Sequence, residues 1–402
     1  MSSSPADAVR GERLWGDLMA MAEVGRTPAG GSRRLALTDE DKAGRELFSE
    51  WAREAGLELR ADQGGNLFAR RPGSDPARPA VMAGSHLDTQ PDGGRFDGVF
   101  GVLAALEAVR ALNDAGAQTA APIDVVDWTN EEGGRFPRFC TGSAVYAGAM
   151  TLDDARALRA FDGPLYGDEL DRLALTGDEE PGSSPAAAYL ELHIEQGPRL
   201  ERAGIPLGIV QGIRGIRQLP IEVSGREAHS GSPMEGRRDA LRAAARVVET
   251  LAALAEADER GPSITVGRFE VEPNAPSVVP GRVTMTADVR GAGLDDPAAL
   301  VERVREAVEA DDVAVGEPFF QYGPVHFDER LLELLTDLAP ESMDMVSPAG
   351  HDAGWVACKV PTAMLFVPCR DGLSHHPDEW AQPEHLELAT RVLAASLATL
   401  AR

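Results

Sequence analysis

The stretch VMAGSHLDT, residues 81–89, decides the fold class, because a short apolar run passes directly into a histidine and a carboxylate. A second apolar run, Ile123–Trp128, passes in the same way into NEEG at residues 130–133. In an open α/β sheet, side chains that follow the strands collect in the crevice at their carboxyl ends. The two stretches therefore predict an α/β fold with a polar site at that edge of the sheet.

The composition excludes several classes of partner. The chain has 402 residues, of which 43% are hydrophobic, enough for two domains with apolar cores. Its formal net charge of −26 would repel nucleic-acid phosphates and anionic membrane surfaces, so neither is expected as a partner.

No segment has the length or apolarity of a membrane span, and the first ten residues lack a signal-like apolar region. Three cysteines without CxxC spacing predict idle thiols in a reducing, cytoplasmic compartment.

The alternation of strands and helices predicts a larger domain with a smaller one inserted in it. The predicted boundaries are 1–212 for the first part of the larger domain, 213–324 for the insertion and 325–402 for the second part. The insertion follows a β-α-β-β-α order, which suffices for a small α+β domain with helices on one face. Its predicted elements are strand Gln218–Val223, helix Asp239–Glu256, strands Ile264–Val271 and Arg282–Val289, and helix Pro297–Ala310.

The candidate catalytic and metal-binding residues are histidines and carboxylates at strand ends or in Gly/Ser-rich loops. His86 follows the first strand, His193 closes the alternating strand 189–193, and His229 and His375 stand in the loops AHSG and GLSHHP. Imidazole nitrogen together with carboxylate oxygen is a ligand set that zinc, manganese, cobalt and nickel accept. The pattern predicts a metal site that activates water, with Asp88 holding the second nitrogen of His86.

Six sequence blocks carry a resemblance to a known family. In order, they are GSHLDT (84–89), GGRFDG (93–98), WTNEEGGRF (128–136), HIEQGP (193–198), AHSG followed by Pro233-Met234, and GLSHHP (372–377). The chain resembles, from about Leu14 to its C-terminus, the amidase/hydantoinase/carbamoylase branch of the M20 metallopeptidases. That branch includes N-carbamoyl-L-amino-acid hydrolases, β-ureidopropionase and allantoate amidohydrolases.

The resemblance implies a hydrolase of C–N bonds other than peptide bonds, with two divalent metal ions (Zn, Mn, Co or Ni) in each subunit. By analogy, one ion would bind His86 and His193, the other would bind Glu132 and His375, and Asp97 would bridge them. Glu131 would be the general base, which requires that Glu131 and Glu132 lie in a turn, since neighbours in a strand point to opposite faces. The adjacent His376 is the alternative ligand to His375.

The resemblance also implies the residues that hold an N-carbamoyl amino acid. Gln196 and His229 would contact the carbamoyl group, with His229 acting as a catalytic oxyanion donor in the site of the neighbouring subunit. Asn274 and Arg290 would hold the substrate carboxylate, and Arg217 is a further candidate for the same role. The expected assembly is a homodimer paired through the inserted domains.

The sequence leaves several hypotheses about the substrate and the function open. The substrate could be an N-carbamoyl-L-amino acid, N-carbamoyl-β-alanine or allantoate, and an M20 aminoacylase or dipeptidase is a further alternative. A non-catalytic amino-acid-binding protein of the same fold is the alternative outside the enzymes. Gly350–Ala353 is interpreted as support behind the ligands, and the remaining histidines as structural, with His385 on the surface.

Overall fold

The computed structural model describes residues 4–402. Its helices are α1 Gly11–Glu23, α2 Asp39–Glu54, α3 Val99–Asp114, α4 Thr141–Ala147, α5 Leu152–Arg156, α6 Tyr166–Leu173, α7 Arg199–Ala203, α8 Ala240–Glu256, α9 Ala298–Ala307, α10 Glu329–Leu338, α11 Asp352–Val356 and α12 Pro383–Leu400. Its strands are β1 Glu58–Ala61, β2 Leu67–Arg71, β3 Ala80–His86, β4 Ile123–Trp128, β5 Ala186–Ile194, β6 Leu207–Ile213, β7 Ile216–Ser224, β8 Ala228–His229, β9 Ser263–Glu272, β10 Val278–Val279, β11 Arg282–Arg290, β12 Val313–Val315, β13 Phe320–Tyr322, β14 Val325–His326, β15 Ser342–Ser347 and β16 Thr362–Val367. Within residues 4–402, no helix is both long and apolar enough to cross a bilayer.

The chain packs into two compact units. The first takes in the chain up to Gln211 together with Phe327–Met345 and Gly350–Arg402. The second consists of Gly212–His326 and Val346–Ala349. It therefore differs from the predicted insertion, 213–324, by one or two residues at each end and by the added segment 346–349.

The first unit is built on a mixed sheet whose central strands are parallel. The strand order is β1-β2-β4-β3-β5-β16-β6. Strand β3 runs parallel to both β4 and β5, and β16 runs parallel to β5, whereas β2 and β6 are antiparallel to their neighbours β4 and β16. The predicted α/β fold class is confirmed. Because four adjacent strands end at one edge, the loops that follow them meet there.

Helix α3 covers the sheet in the first unit and begins beside the site. Its residues Val99–Val109 are all buried, since apolar side chains surround the helix on every side. Gly98, which precedes it, has a φ of 67°, a backbone conformation that favours glycine.

A network of buried charged side chains holds the backbone at the end of β3. The guanidinium of Arg45 pairs with Asp41 at 3.3 Å and with Asp127 at 3.4 Å, and all three side chains are buried. Asp127 in turn accepts a hydrogen bond of 2.9 Å from the backbone N–H of Leu87, the residue after His86. Removing one partner from such a buried group costs roughly 3–5 kcal/mol. The network therefore fixes the backbone where β3 ends.

The second unit contains a five-stranded antiparallel sheet with two helices on one face. Strands β12, β7, β11 and β9 lie in that order, and β13 also pairs with β7. Leu219, Ile221 and Val223 of β7 share one buried core with residues of α8, α9 and β11. The five elements predicted for this segment are all present, each within a few residues of its predicted bounds.

Candidate metal centre

Histidines and carboxylates converge at the edge where the parallel strands end. His86 ends β3, His193 lies near the end of β5, Asp97 precedes α3, Glu132 follows β4, and His375 follows β16. His86, Asp97 and His193 are buried, while the side chain of His375 is 47% exposed. The edge therefore presents a cluster that is closed on one side and open on the other.

Asp97 stands at the centre of this cluster. Its Oδ1 lies 3.1 Å from His193 Nε2 and 3.8 Å from His86 Nε2. Its Oδ2 lies 3.1 Å from His375 Nε2, which is 3.3 Å from an oxygen of Glu132. The donor atoms thus form two groups, each within 4.8 Å, that share the Asp97 carboxylate.

Backbone carbonyls orient the two buried imidazoles. His86 Nδ1 is 2.9 Å from the carbonyl oxygen of Asp88, and His193 Nδ1 is 2.9 Å from that of Ile194. Each Nδ1 therefore carries a proton that it donates to a carbonyl, which directs Nε2 of both rings toward Asp97. In His86, whose pKa is lowered to about 4 by burial, Nε2 presents its lone pair. His86 Nε2 is buried without a hydrogen-bond partner in the described chain. A buried, unpartnered lone pair among carboxylates fits a bound cation.

Asp88 holds the second nitrogen of His86, as predicted, but through its backbone carbonyl and not through its carboxylate. The carboxylate is 3.8 Å from Nδ1, because the backbone carbonyl of Asp88 occupies the hydrogen-bonding position. The carboxylate instead accepts the backbone N–H groups of Glu131 at 3.1 Å and of Glu132 at 3.3 Å. Asp88 thus joins the end of β3 to the turn that follows β4.

That turn separates the two adjacent glutamates, as predicted. Asn130 and Gly133 both have positive φ, so the chain leaves the strand conformation on either side of the pair. Glu131 Oε2 lies 3.4 Å from His86 Nε2, and its Oε1 is 3.2 Å from the thiol sulfur of Cys140. Glu132 faces the other group of donors. The two carboxylates are therefore directed to different ends of the cluster.

Burial and neighbouring charges shift the pKa values within the cluster in opposite directions. Burial raises the pKa of Glu131 well above its ordinary value, and neighbouring carboxylates add to the effect. Burial also acts to raise the pKa of Asp97, yet hydrogen bonds to His193 and His375 hold it well below its usual range. The bond to Asp97 raises the pKa of His375 to about 9, whereas burial lowers the pKa of His86 to about 4. Asp97 therefore stays ionised, while Glu131 is suited to proton exchange.

Gln196 and His375 complete the open side of the cluster. The amide of Gln196 donates a hydrogen bond of 2.8 Å to Asp97 Oδ2. Both residues have positive φ, 55° for Gln196 and 54° for His375, a strained conformation that is concentrated at functional sites. His376 is exposed, and its Nδ1 accepts the backbone N–H of Asp378. Of the two adjacent histidines, His375 is the one that faces Asp97.

The other predicted site residues belong to the second unit. His229 is exposed on β8, and its Nδ1 accepts the backbone N–H of Gly231 at 3.1 Å. Asn274 is exposed and has a φ of 52°. Arg290 pairs with Asp288 at 2.7 Å, and Arg217 pairs with Asp296 at 3.1 Å.

The strand register separates the two predicted carboxylate-binding arginines. Arg290 of β11 lies opposite Ile216 of β7, and Arg217 lies opposite Val289. Directly opposed residues share a face and successive residues alternate, so Arg217 and Arg290 point to opposite faces of the sheet. A small ligand on one face meets only one of them, which argues against a joint role for Arg217.

Sequence reasoning missed two buried glutamates near the ligand candidates. Glu191 accepts hydrogen bonds of 2.8 Å from Ser85 Oγ and from the backbone N–H of Ala353. The alternating strand YLELH holds the signal for it, since Glu191 precedes His193 by two residues and shares its face. Glu379 accepts the backbone N–H of Asp97, and no comparable periodicity marks it.

The histidines predicted to be structural differ in exposure. His351 is buried, with its ring centroid 4.6 Å from that of His193, which suits the predicted support behind the ligands. His326 is exposed. His385 is half-buried rather than fully on the surface.

Comparison with known proteins assigns the family. The sequence profile of Peptidase family M20/M25/M40 matches residues 82–399. The chain belongs to this family. The M20 chain is 44% identical to an N-carbamoyl-L-amino-acid amidohydrolase of Rhizobium meliloti over 92% of each sequence. It is 33% identical to an allantoate amidohydrolase of Bacillus subtilis (strain 168), over 95% of each.

A solved structure extends this likeness to the fold. The crystal structure of an amidase of the hydantoinase/carbamoylase family from Burkholderia multivorans matches the M20 chain with a TM-score of 0.89. The two are 43% identical, and the match covers 98% of each chain. The predicted resemblance to this branch of the M20 family is confirmed.

Proposed function

We propose that this M20 chain is a metal-dependent amidohydrolase that cleaves the ureido C–N bond of N-carbamoyl-L-amino acids, releasing the amino acid, CO₂ and ammonia. The observation that carries the proposal is the Asp97 carboxylate, which directs one oxygen to His86 and His193 and the other to His375. The reaction named for the Rhizobium meliloti relative supports this substrate class.

The donor set fits two divalent metal ions. His86, His193 and Asp97 would hold one ion, and Asp97, Glu132 and His375 the other. Mixed imidazole and carboxylate donors suit zinc, manganese, cobalt or nickel. When bound, such a pair of ions acts as a Lewis acid toward the substrate carbonyl and lowers the pKa of water.

Glu131 is the proposed general base. It takes a proton from the attacking water and returns it to the leaving nitrogen, for which a raised pKa is favourable. Its carboxylate is held between His86 and Cys140, at one end of the cluster. Gln196 is positioned beside Asp97 and Ser374, so its amide orients the carbamoyl group next to the same carboxylate.

The proposal extends to the second unit and to the assembly. We propose a cytoplasmic homodimer in which His229 of the partner subunit donates to the developing oxyanion through Nε2, because Nδ1 already accepts from Gly231. Asn274 and Arg290 would bind the substrate carboxylate, for which the guanidinium fork is well shaped. Arg217 is set aside because it faces Asp296 on the opposite side of the sheet.

Ammonia release from a substrate panel tests the proposed function. The panel contains several N-carbamoyl-L-amino acids, N-carbamoyl-β-alanine, allantoate and an N-acetyl amino acid, assayed after chelation and again after Mn, Co, Ni or Zn is added. We expect metal-restored turnover of N-carbamoyl-L-amino acids. Turnover of N-carbamoyl-β-alanine or allantoate alone would reassign the substrate, and deacetylation alone, measured by the free amine, would identify an aminoacylase. If no compound of the panel is hydrolysed, the proposal is overturned.

Replacing Gly98 by alanine is expected to damage the His86 side of the centre. A Cβ at this position would lie 2.2 Å from His86 Nε2, and the φ of 67° is unfavourable for alanine. We expect metal affinity to fall roughly 10- to 100-fold, the usual range when support of a ligand is disturbed. Metal content after dialysis measures the effect.

Gly116→Ala is the matched control for this substitution. Gly116 has a similar φ of 65°, but its Cβ would meet nothing within 4 Å. The control carries the same backbone strain, of order 1–3 kcal/mol, without the contact to a ligand. Equal metal content in the two variants would contradict the assigned position of His86.

A further inference from the structure

Glu379 is a buried carboxylate that contacts both of the loops on the open side of the candidate centre. It is 1% exposed. Its Oε1 accepts the backbone N–H groups of Phe96 at 2.8 Å and of Asp97 at 3.2 Å. Its Oε2 lies 2.9 Å from the hydroxyl oxygen of Ser374, the residue that precedes His375. One side chain thus joins the backbone at Asp97 to the loop that carries His375.

Ser374 continues this connection to the ligand candidates themselves. Its hydroxyl oxygen lies 2.7 Å from Asp97 Oδ2, the oxygen that faces His375. Gly94 makes room for the arrangement, because a Cβ there would lie 2.0 Å from the carboxyl carbon of Glu379. Glu379, Ser374 and Asp97 are therefore linked by a continuous series of polar contacts. The glycine at position 94 leaves room for the Glu379 carboxylate.

The loop that carries His375 is held at its ends by the bridge between Cys369 and Ala381 and by a hydrogen bond from the backbone N–H of Asp371 to Glu201. Next to His375, it is held by the bonds of Ser374 to Asp97 and Glu379. It follows β16, and its only regular element before α12 is the short 3₁₀ turn Arg370–Gly372. His375 is the most exposed of the ligand candidates and has a positive φ. His86 and His193, by contrast, lie on strands and are oriented by backbone carbonyls. The donor group that includes His375 should therefore depend on Glu379 more than the other group does.

We propose that Glu379 is a positioning residue that fixes His375 relative to Asp97 and thereby sets the affinity of the Asp97–Glu132–His375 metal position. The inference rests on the two-metal site proposed above. It assigns to Glu379 no contact with metal or substrate, and it predicts that the two positions respond differently to the loss of this carboxylate.

Stepwise cobalt binding tests the inference. Metal-free protein is titrated with Co²⁺, and visible absorption reports each equivalent. The wild-type protein is expected to bind two equivalents. Glu379→Ala should weaken the second roughly 10- to 100-fold and affect the first much less, because Asp97 contributes to both positions while the loop of His375 serves only one. Glu379→Gln should restore wild-type binding, since its amide oxygen can accept the N–H groups of Phe96 and Asp97 while its N–H donates to Ser374.

Two further variants keep the test decisive. Ser374→Ala removes only the hydroxyl link and should weaken the second equivalent in a folded protein, even where Glu379→Ala does not fold. Glu107→Ala is the matched control, because Glu107 is also fully buried and accepts a backbone N–H, that of Arg10 at 2.8 Å, away from the cluster. It should lower thermal stability without changing the ratio of the two cobalt affinities.

The outcomes separate this inference from the proposal beneath it. Wild-type protein that takes up fewer than two equivalents would overturn the two-metal site and the inference together. With two equivalents in the wild type, unchanged cobalt binding by Ser374→Ala would overturn the inference alone. It would also be overturned if Glu379→Gln lost the second equivalent as fully as Glu379→Ala, or if Glu107→Ala lost it too.

Discussion

Replacement of Glu131 by glutamine is expected to lower kcat by roughly 10²- to 10⁴-fold, the usual contribution of a general base. The amide has the same shape but cannot take a proton from water. Its oxygen can still accept a hydrogen bond from the thiol of Cys140, which is 3.2 Å from Glu131 Oε1 in the native protein. Ammonia release under saturating substrate measures the loss, and thermal melting shows that the variant is folded.

The adjacent residue supplies the contrast for this prediction. Glu132→Gln should reduce metal content, because Glu132 faces His375 in the second donor group. Glu131→Gln should retain both metal equivalents and lose turnover. Full turnover in Glu131→Gln would remove it from the role of base, and loss of metal from that variant would make it a ligand instead.

Replacement of Asp97 by asparagine is expected to remove metal from both positions at once. The two carboxylate oxygens face different donor groups, and among residues 4–402 Asp97 is the one residue that belongs to both. An asparagine has one neutral oxygen acceptor and one N–H₂ donor, which points a proton toward one of the two groups. Since Lewis-acid stabilisation is worth several kcal/mol, activity should fall by roughly 10³-fold or more.

Elemental analysis of dialysed protein checks this prediction directly. Asp92→Asn is the matched control, because Asp92 lies on the same loop but is exposed and forms an ion pair with Arg33, away from the cluster. The control should keep two equivalents of metal and normal turnover. An Asp97→Asn variant that kept one full equivalent would show that the carboxylate is not shared.

The fold could be predicted where the hydrophobic pattern follows the periodicity of one element. The apolar run Ile123–Trp128 is strand β4 with the same bounds, and helix α8 begins one residue after its predicted start. The short strands β12 and β13 were not predicted, because three residues hold no measurable alternation. Pairing with β7, rather than local pattern, makes them strands.

The candidate centre could be predicted as a set of residues but not as a set of contacts. Strand-end histidines and the turn at Glu131 follow from local sequence. The roles of Asp88 and Glu379 do not, because each carboxylate binds backbone N–H groups that are distant in the chain. Every residue type except proline has a backbone N–H group, so these partners cannot be recognised from a sequence motif. The opposite faces of Arg217 and Arg290 depend in the same way on strand register.

The candidate residues are divided between two separately packed units, and this division affects how the two groups of residues can change during evolution. All five metal-ligand candidates and the proposed base lie in the first unit, whereas His229, Asn274 and Arg290 lie in the second. Substitutions in one core leave the packing of the other intact, since each unit has its own buried cluster. On the proposed roles, changes in the residues that bind the substrate carboxylate can therefore accumulate in one segment of the chain while the metal-binding residues of the other segment stay the same.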